Sequence, residues 1–500
     1  MSKSTLFLVL SFFLVFSLKI LFSPPVFADD SSFSLDTVLT KNVTTLSPET
    51  AKNEIAENDS GATGTSIVET VAVETSDSPR KSAYTFHIQS TVVPQGHPGL
   101  TSPYQGNESL KGTGEQVTSF SGTVFMGYRL FRNTEIFINP EGIAGGGVSN
   151  AFGLGAYSNG EVNRVGGGTG AFQASIARAY FSQTIPLGDE EEDIGDDQNQ
   201  IAGKRPRKYL RFSAGKFSLA DFLDNNAYAH DQRNQFLNFC FMDNCAWDYS
   251  MNPFGYTYAL ATELKQRDWA LRLVFATEPT LVNGFTMDPN IGQAHNIDLE
   301  FEQSYRLGPH PGKVRVLVYQ NNSAAQSYSA LTSILQSNGG VMPSSAGAPG
   351  QYNRKTGAGI GFEQELSENT GTFLRAGWND GQTESWTYTE TDMTLAGGAS
   401  LNGRMWKRSY DHIGIGLGVN GLSANHQAFL SANGQGLMLG DGALRYGPEQ
   451  FIEAYYSLGF SKFGNFSFSP DVQYILNPGF NQDRGPASIY AVRFHYEWGA

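Results

Sequence analysis

The sequence predicts an all-β fold: a transmembrane antiparallel β-barrel of about 16 strands with a constriction loop. Three observations support this prediction. Apolar and polar residues alternate with a period of two from Tyr84 to the end of the chain. The composition favours strands, tight turns and membrane interfaces, with 56 glycines, 35 phenylalanines and 22 tyrosines. Beyond the N-terminal region no stretch reaches the roughly 20 apolar residues of a spanning helix, so membrane insertion has to use strands.

The N-terminus has the features of a secretory signal peptide, residues 1–28. Lys3 supplies the positive start, Leu6–Phe16 supplies the apolar core, and cleavage is expected after Ala28. Lys19 interrupts the apolar run, which argues against a retained membrane anchor. The mature chain is therefore predicted to be exported.

Residues 29–80 are rich in Ser, Thr, Asp, Glu and Ala and have no sustained apolar repeat. This composition predicts a disordered periplasmic segment, and a tail that binds the cell wall or a partner is the alternative. The barrel is predicted over residues 81–500. The net charge of −14 disfavours nucleic-acid binding, which requires Lys and Arg to neutralise phosphates.

The first strands show the alternation clearly, with Ile88 and Val92 on one face and Gln89 and Thr91 on the other. A Gly-rich loop at 142–170 follows, and the next strand, 174–187, has Arg178 near its centre. The acidic segment GDEEEDIGDDQNQ at 188–200 is predicted to be a solvated turn, with cation binding as the alternative.

The stretch Arg211–Leu264 contains two strands joined by a long polar and aromatic insert. The chain alternates over Arg211–Gly215, breaks, and alternates again over Tyr256–Ala261. Two such strands joined by a long insert suggest a pore with a folded-in constriction. The insert holds Cys240 and Cys245, for which export makes a disulfide plausible, with two free thiols as the alternative. No second Cys/His cluster accompanies them, so neither a metal nor a cofactor is predicted.

Three runs of this stretch carry a family resemblance: AGKFSLADFLDNNAYAHDQRNQFLN, MDNCAWDY and GYTYALATEL. Further matching strings lie at 419–423, 439–457 and 472–486. Together they resemble the carbohydrate-selective porins of the OprB-type family of Gram-negative outer membranes, over roughly residues 84–500. The resemblance implies an outer-membrane pore through which small sugars diffuse passively, with a charged and aromatic constriction.

Candidate solute-contacting residues follow from the chemistry of sugars, which present vicinal hydroxyls and flat apolar faces. A site for them needs planar donors, carboxylate acceptors and an aromatic surface. The predicted constriction residues are Arg211, Lys216, Asp224, Arg233 and Trp247. The predicted lumen-lining residues are Arg178, Glu263 and Arg272. An ordinary hydrogen-bonded loop is the alternative interpretation of the insert.

The remaining strands repeat the pattern, and the last alternates Phe494 and Tyr496 with Arg493 and His495. Such an aromatic-rich terminal strand is typical of outer-membrane barrels. The expected partners are small sugars, outer-membrane lipid and lipopolysaccharide, and the barrel-assembly machinery. Many such porins assemble as trimers, so a homotrimer is also expected. No GxSxG nucleophile motif is present, and no enzyme activity is predicted.

Alternation alone does not say which face meets solvent. A soluble sandwich packs its apolar face into a core, whereas a barrel turns its polar face to a water-filled lumen. Three alternatives therefore stay open at this point. They are an exported soluble all-β carbohydrate-binding protein or glycoside hydrolase, a plugged barrel with a structural or adhesive role, and a general or anion-preferring porin.

Overall fold

The computed structural model describes residues 82–161, 170–342, 351–387, 389–460 and 465–499. The signal peptide expected at 1–28 and the disordered segment expected at 29–80 lie outside these residues. Within them, 16 antiparallel strands form a closed barrel, and two further strands form a separate hairpin. The strands are β1 Tyr84–Gly99, β2 Thr113–Phe131, β3 Thr134–Gly145, β4 Gln173–Pro186, β5 Glu191–Ile194, β6 Gly203–Pro206, β7 Tyr209–Phe217, β8 Thr257–Lys265, β9 Trp269–Thr277, β10 His295–Leu307, β11 His310–Ser323, β12 Asn353–Ser367, β13 Thr370–Asn379, β14 Met393–Asn402, β15 His412–Gly421, β16 Glu449–Phe460, β17 Asn465–Leu476 and β18 Ala487–Gly499.

The strand order follows the chain around the barrel. Each strand pairs with its neighbours in sequence, except that β4 pairs directly with β7 because the hairpin β5–β6 lies outside the sheet. The barrel closes where β1 pairs with β18, with Ile88 opposite Trp498. Closure leaves no sheet edge in hydrocarbon, where unpaired amides would each cost several kcal/mol. The predicted barrel of about 16 strands is confirmed.

The two faces of the strands are as the alternation predicts. In β9 the apolar side chains of Leu271, Leu273 and Phe275 lie on the outer surface, and Arg272 between them turns inward. The same division of apolar and polar residues recurs in β1, β10 and β18. An apolar outer face and a polar interior are the reverse of a soluble β protein. The soluble alternative is therefore wrong.

The two ends of the barrel differ in their connections. At one end most connections are tight, for example 132–133, 266–268 and 308–309. At the other end they are long, and they include 218–256, 278–294, 324–352 and 422–448. Barrels of this kind have short periplasmic turns and longer extracellular loops, which identifies the two ends.

Short helices occur in the long loops. They are α1 Phe239–Met242, α2 Tyr328–Ser337 and α3 Ala424–Ser431. Among the described residues, no helix combines the length and the apolar character needed to cross a membrane. The helices belong instead to the packing of the loops inside and above the barrel.

The long-loop end is held together by a buried histidine. His426 of α3 stacks on the Tyr328 ring of α2, with ring centroids 4.2 Å apart. Its Nδ1 lies 3.1 Å from Asp392 Oδ2, and its Nε2 lies 3.2 Å from Glu390 Oε1. Burial would lower the pKa of His426, but the two carboxylates outweigh it and raise the pKa to about 9. The imidazolium therefore links three loops.

The acidic segment at 188–200 is largely exposed, as predicted, but it belongs to a hairpin rather than a simple turn. Part of it forms β5, which pairs with β6, and the chain between them folds against the inner wall. Asp196 lies 2.8 Å from His87 of β1, and Ile201 is only 1% exposed. The hairpin and its attachment to the wall were not predicted, because the partners that hold this segment are remote in sequence.

A charge on the lipid-facing surface should destabilise the barrel. Leu273 lies at the centre of β9 on that surface, and Leu273→Arg should cost about 2–4 kcal/mol of unfolding free energy. Urea unfolding in lipid vesicles measures this cost. The control is Leu281→Arg, in an exposed loop, which should cost close to nothing. Equal losses in both variants would contradict the assignment of the outer face.

The stability of the long-loop end should depend on His426. Because the pKa of His426 is raised in the folded state, its contribution is complete below about pH 6.5 and is lost as the pH rises through about 9. We expect His426→Gln to be less stable than the wild type at pH 6.5 and similar to it at pH 9.5 and above. Urea unfolding followed by tryptophan fluorescence tests this. A difference independent of pH would show that the imidazolium is not involved.

Candidate functional site

The connection between β7 and β8, residues 218–256, folds back into the barrel and is called here the constriction loop. It starts with a 3-10 turn, Leu219–Asp221, that Ser218 caps in a capping box. It then crosses the lumen, where its apolar side chains form a packed core. Members of this core that are at most 1% exposed include Phe236, Leu237, Phe239, Cys240, Phe241, Cys245, Trp247 and Tyr249. The loop therefore fills much of the barrel interior.

Arg375 of β13 holds the loop from the wall. Its Nε donates to Asp224 Oδ1 at 3.1 Å, and its Nη2 donates to the Asp224 carbonyl oxygen at 2.8 Å. Its Nη1 donates to the carbonyl oxygens of Ala229 and Phe241, both at 2.6 Å. The guanidinium is 1% exposed. A single side chain thus satisfies three backbone acceptors and supplies the countercharge of the buried Asp224 carboxylate, which also accepts from the Asn244 amide at 2.7 Å.

Two further wall residues bind the backbone of the loop. The Glu453 carboxylate of β16 accepts from the amides of Leu237 at 2.6 Å and Asn238 at 2.9 Å. Arg493 of β18 donates to the carbonyl oxygen of Gln235 at 2.6 Å. Irregular backbone within a membrane protein has to find such partners, because lipid offers none. Buried wall charges therefore act as hydrogen-bonding partners of the loop.

Cys240 and Cys245 form a disulfide, with Cα atoms 4.7 Å apart. Both are at most 1% exposed, and the Asn420 amide of β15 donates to Cys240 Sγ at 3.2 Å. The bridge closes a small ring around α1 at the centre of the loop core. It lies away from solvent and contributes to the shape of the loop.

Two of the predicted constriction residues do not reach the lumen. Trp247 is 1% exposed, and its Nε1 donates to Asp298 Oδ1 at 2.8 Å. Asp224 is 6% exposed and is held by Arg375. Their prediction as solute contacts is wrong for a physical reason. A folded loop has a buried core and a surface that faces the lumen. The residue type alone does not show which of the two a side chain occupies.

Lys216 is also placed differently from its prediction. Across the sheet it is paired with Ala179 and Tyr258, which lie on the outer surface. Its ammonium donates to the carbonyl oxygen of Ile176 at 2.7 Å. In a strand, side chains alternate between the faces, so Lys216 cannot share the inner face with Arg211 five residues before it.

Arg178 and Arg233 fasten loops to the inner wall. Arg178 Nε donates to Asp221 Oδ2 at 2.7 Å. Arg233 Nε donates to Glu161 Oε1 at 2.7 Å, and its Nη2 donates to Glu141 Oε2 at 3.1 Å. Both guanidiniums are about 14–15% exposed, so they stay near water while they hold the loop. Both arginines are ion-paired and hold the constriction loop at the border of the remaining lumen.

A ladder of alternating charges crosses the inner wall from β7 to β10. Arg211 Nη1 lies 3.7 Å from Glu263 Oε2, and Arg272 Nε donates to Glu263 Oε1 at 3.0 Å. Arg272 Nη1 also donates to Glu300 Oε1 at 2.8 Å. The strand register places these residues side by side, with Arg211 opposite Glu263 and Glu263 opposite Arg272. The structure therefore brings three predicted residues together.

Beyond β10 the ladder is buried. Arg315 donates to Glu302 at 2.9 Å and to Glu363 at 3.0 Å, and the Arg315 and Glu302 side chains are at most 4% exposed. In contrast, Arg211 is 23% exposed and Glu263 is 13% exposed. Only the first part of the ladder is accessible to a solute.

A cleft remains between the constriction loop and the wall from β2 to β9. It has two parts, which share Arg211, Ser213 and Phe222. One part is bordered by Glu263 and Arg272 and is too narrow to hold a water molecule. The other is lined by β2, β3, β4 and the hairpin β5–β6. It was not predicted from the sequence that Phe222 and the hairpin line the cleft. Phe222 could have been suspected because it lies in the aromatic insert, whereas the sequence of the hairpin shows only its charge.

A closed barrel with an apolar outer face, a charged inner wall and a loop folded across the lumen defines an outer-membrane porin. The family model of the carbohydrate-selective porins, OprB family, matches residues 127–497. The chain belongs to this family. It is therefore an outer-membrane channel for the diffusion of sugars, and its family and fold are those of channels rather than enzymes.

One solved structure shows the same fold, and another is similar to a lesser degree. The high-pH structure of Pseudomonas putida OprB has a TM-score of 0.60 at 13% sequence identity, covering 83% of this chain and 94% of that chain. Acinetobacter baumannii OccAB1 has a TM-score of 0.43 at 8% identity, covering 83% and 96% respectively. No curated protein matches the chain closely enough in sequence to count as a relative.

Removing the Arg375 guanidinium should release the loop and leave the barrel closed. Arg375→Met leaves the Asp224 carboxylate buried and unpaired, which should cost about 3–5 kcal/mol of loop anchoring. We expect larger single-channel conductance and new proteolytic cleavage within 218–256. The control is Arg306→Met, at an exposed turn where Arg306 donates to the Pro309 carbonyl oxygen. If proteolysis of both variants matches the wild type, Arg375 is not the anchor.

Proposed function

We propose that sugars cross the barrel through the cleft beside β4, β7, β8 and β9, in contact with Arg211, Glu263 and Arg272. The exposure of the wall charges supports this route. These three side chains are 13–23% exposed, whereas Glu453 and Arg493 on the opposite wall are at most 1% exposed beneath the constriction loop. A solute in the aqueous lumen can contact Arg211, Glu263 and Arg272, whereas the constriction loop keeps it from Glu453 and Arg493.

The chemistry of the cleft suits a sugar. The two guanidiniums offer planar, paired donors, and the Glu263 carboxylate between them offers acceptors for vicinal hydroxyls. The Phe222 ring lines the wider part of the cleft, about 100 Å³ in volume, and can cover the apolar face of a pyranose. Because the charges already pair with one another, a sugar competes with these ion pairs rather than filling an empty site. Binding is therefore weak, as passage through a channel requires.

This proposal makes the protein a passive channel that carries out no covalent step. The expected homotrimer, the contact with the barrel-assembly machinery and the lipopolysaccharide contact stay predictions. So does the role of residues 29–80. The general or anion-preferring porin remains the second candidate, because charged cleft residues also interact with ions.

The cleft proposal is tested by sugar block of single-channel current in planar bilayers. We expect glucose to block wild-type channels in a saturable way. Arg272→Gln and Glu263→Gln should each raise the half-blocking concentration by about tenfold, which corresponds to about 1.4 kcal/mol for a lost charge-assisted hydrogen bond.

The matched control is Arg445→Gln. Arg445 is also ion-paired, with Asp483 at 2.7 Å, but it lies in an exposed loop and is 63% exposed. Its half-blocking concentration should equal that of the wild type. If glucose blocks the two cleft variants as it blocks the wild type, sugars do not pass through this cleft. If the folded protein gives no channel steps at all, the proposal is wrong.

A further inference from the structure

The connection between β4 and β7, residues 187–208, enters the short-turn mouth of the barrel and is called here the mouth hairpin. Its tip is bound to the inner wall of the barrel. The Asp196 carboxylate lies 2.8 Å from His87 Nε2, and Gln198 Nε2 donates to Glu497 Oε1 at 2.7 Å. Asn139 Nδ2 of β3 donates to Asn199 Oδ1 at 2.9 Å. Three separate strands thus hold the tip.

The returning arm of the mouth hairpin is fixed as firmly. Arg129 of β2 donates to the carbonyl oxygen of Ile201 at 3.1 Å, and the same guanidinium binds Glu135 at 2.8 Å. Ile201 is 1% exposed. The segment therefore has a fixed position within the mouth, at the opposite end of the pore from the long loops.

The acidic and basic side chains of the mouth hairpin lie on different sides of it. Glu190 in the acidic arm pairs with Arg267 at 2.7 Å, and both side chains are more than half exposed at the rim. The β6 arm carries Lys204 and Arg205 to the cleft. An acidic segment therefore presents a basic surface to the solute route.

The charge of the cleft follows from its lining. Where it meets the mouth hairpin, the cleft is lined by four basic side chains and a single acidic one. They are Arg129, Lys204, Arg205, Arg211 and Glu135. Glu135 is already paired with Arg129, and Arg205 with Glu192 at 2.8 Å. In the part of the chain that the structure describes, Lys204 takes part in no ion pair. Because Arg211 is paired with Glu263, Lys204 supplies the unpaired positive charge of this lining, in a chain whose net charge is −14.

We propose that the mouth hairpin is a second, basic filter in series with the constriction, and that it selects sugars carrying a carboxylate over neutral sugars. The inference rests on the proposed route through the cleft. A narrow passage with low-dielectric walls focuses the field of Lys204 and Arg205 on a solute, and basic side chains are what anion-selective pores use. The hydroxyls of the solute then meet Arg211 and Glu263 in the adjoining part of the cleft.

The test compares glucuronate with glucose, which differ by a carboxylate on the same ring, as blockers of single-channel current at 0.1 M KCl. In the wild type, glucuronate should block at a concentration about fivefold or more below that of glucose. Under a KCl gradient, the reversal potential should be shifted toward the equilibrium potential of chloride, which indicates anion selectivity. Raising the salt to 1 M shortens the screening length from about 10 Å to about 3 Å and should reduce the preference.

The variant is the double substitution Lys204→Gln, Arg205→Gln. It should abolish the preference for glucuronate and leave the block by glucose within about twofold of wild type. The matched control is Arg207→Gln, Lys208→Gln, which removes two charges from the same connection outside the lining of the cleft and should retain the preference.

The outcomes separate the two proposals. Block by glucose without preference for glucuronate in the wild type overturns the basic filter and leaves the sugar route in place. A preference that survives the Lys204, Arg205 substitution, or that is lost equally in the control, also overturns the filter. Channels that neither sugar blocks overturn the sugar route itself.

Discussion

The structure depends on one constraint: the irregular backbone of the constriction loop lies inside a membrane barrel, and each of its polar groups needs a partner there. The wall supplies these partners through a few buried charged side chains. Arg375 donates to three carbonyl oxygens, and Glu453 accepts two amide protons. Charged groups form stronger hydrogen bonds than neutral ones, particularly away from water. The loop is therefore a fixed part of the barrel, and the solute route is the space that it leaves.

The fold was predictable from the sequence, because the alternation in strands such as β1, β9 and β18 repeats for the length of the barrel. A register is fixed wherever one face is apolar, so inward residues such as Arg211 and Arg272 could be assigned by counting. Counting also shows the error with Lys216, whose parity differs from that of Arg211. Periodicity therefore gives the faces of the wall with good accuracy.

The interior of the loop was less predictable, because it has no period. Trp247 and Asp224 have the residue types of a sugar site, but their partners Asp298 and Arg375 come from distant strands. The acidic segment at 188–200 shows the same difficulty, since His87, Glu497 and Asn139 determine its position. The alternation of the strands is enough to place Arg375 and Glu453 on the inner face of the barrel. What the sequence does not reveal is that they bind backbone rather than water.

The origin of these anchors along the chain has a consequence for biogenesis. The constriction loop is translated before β9, but Arg375, Glu453 and Arg493 belong to β13, β16 and β18. The loop therefore lacks part of its hydrogen-bonding partners until the last strands have joined the sheet. Its ordering is consequently complete only when the cylinder is complete. A chain whose C-terminal strands were delayed would expose an unfinished interior, and the periplasm would have to protect that intermediate from proteases and aggregation.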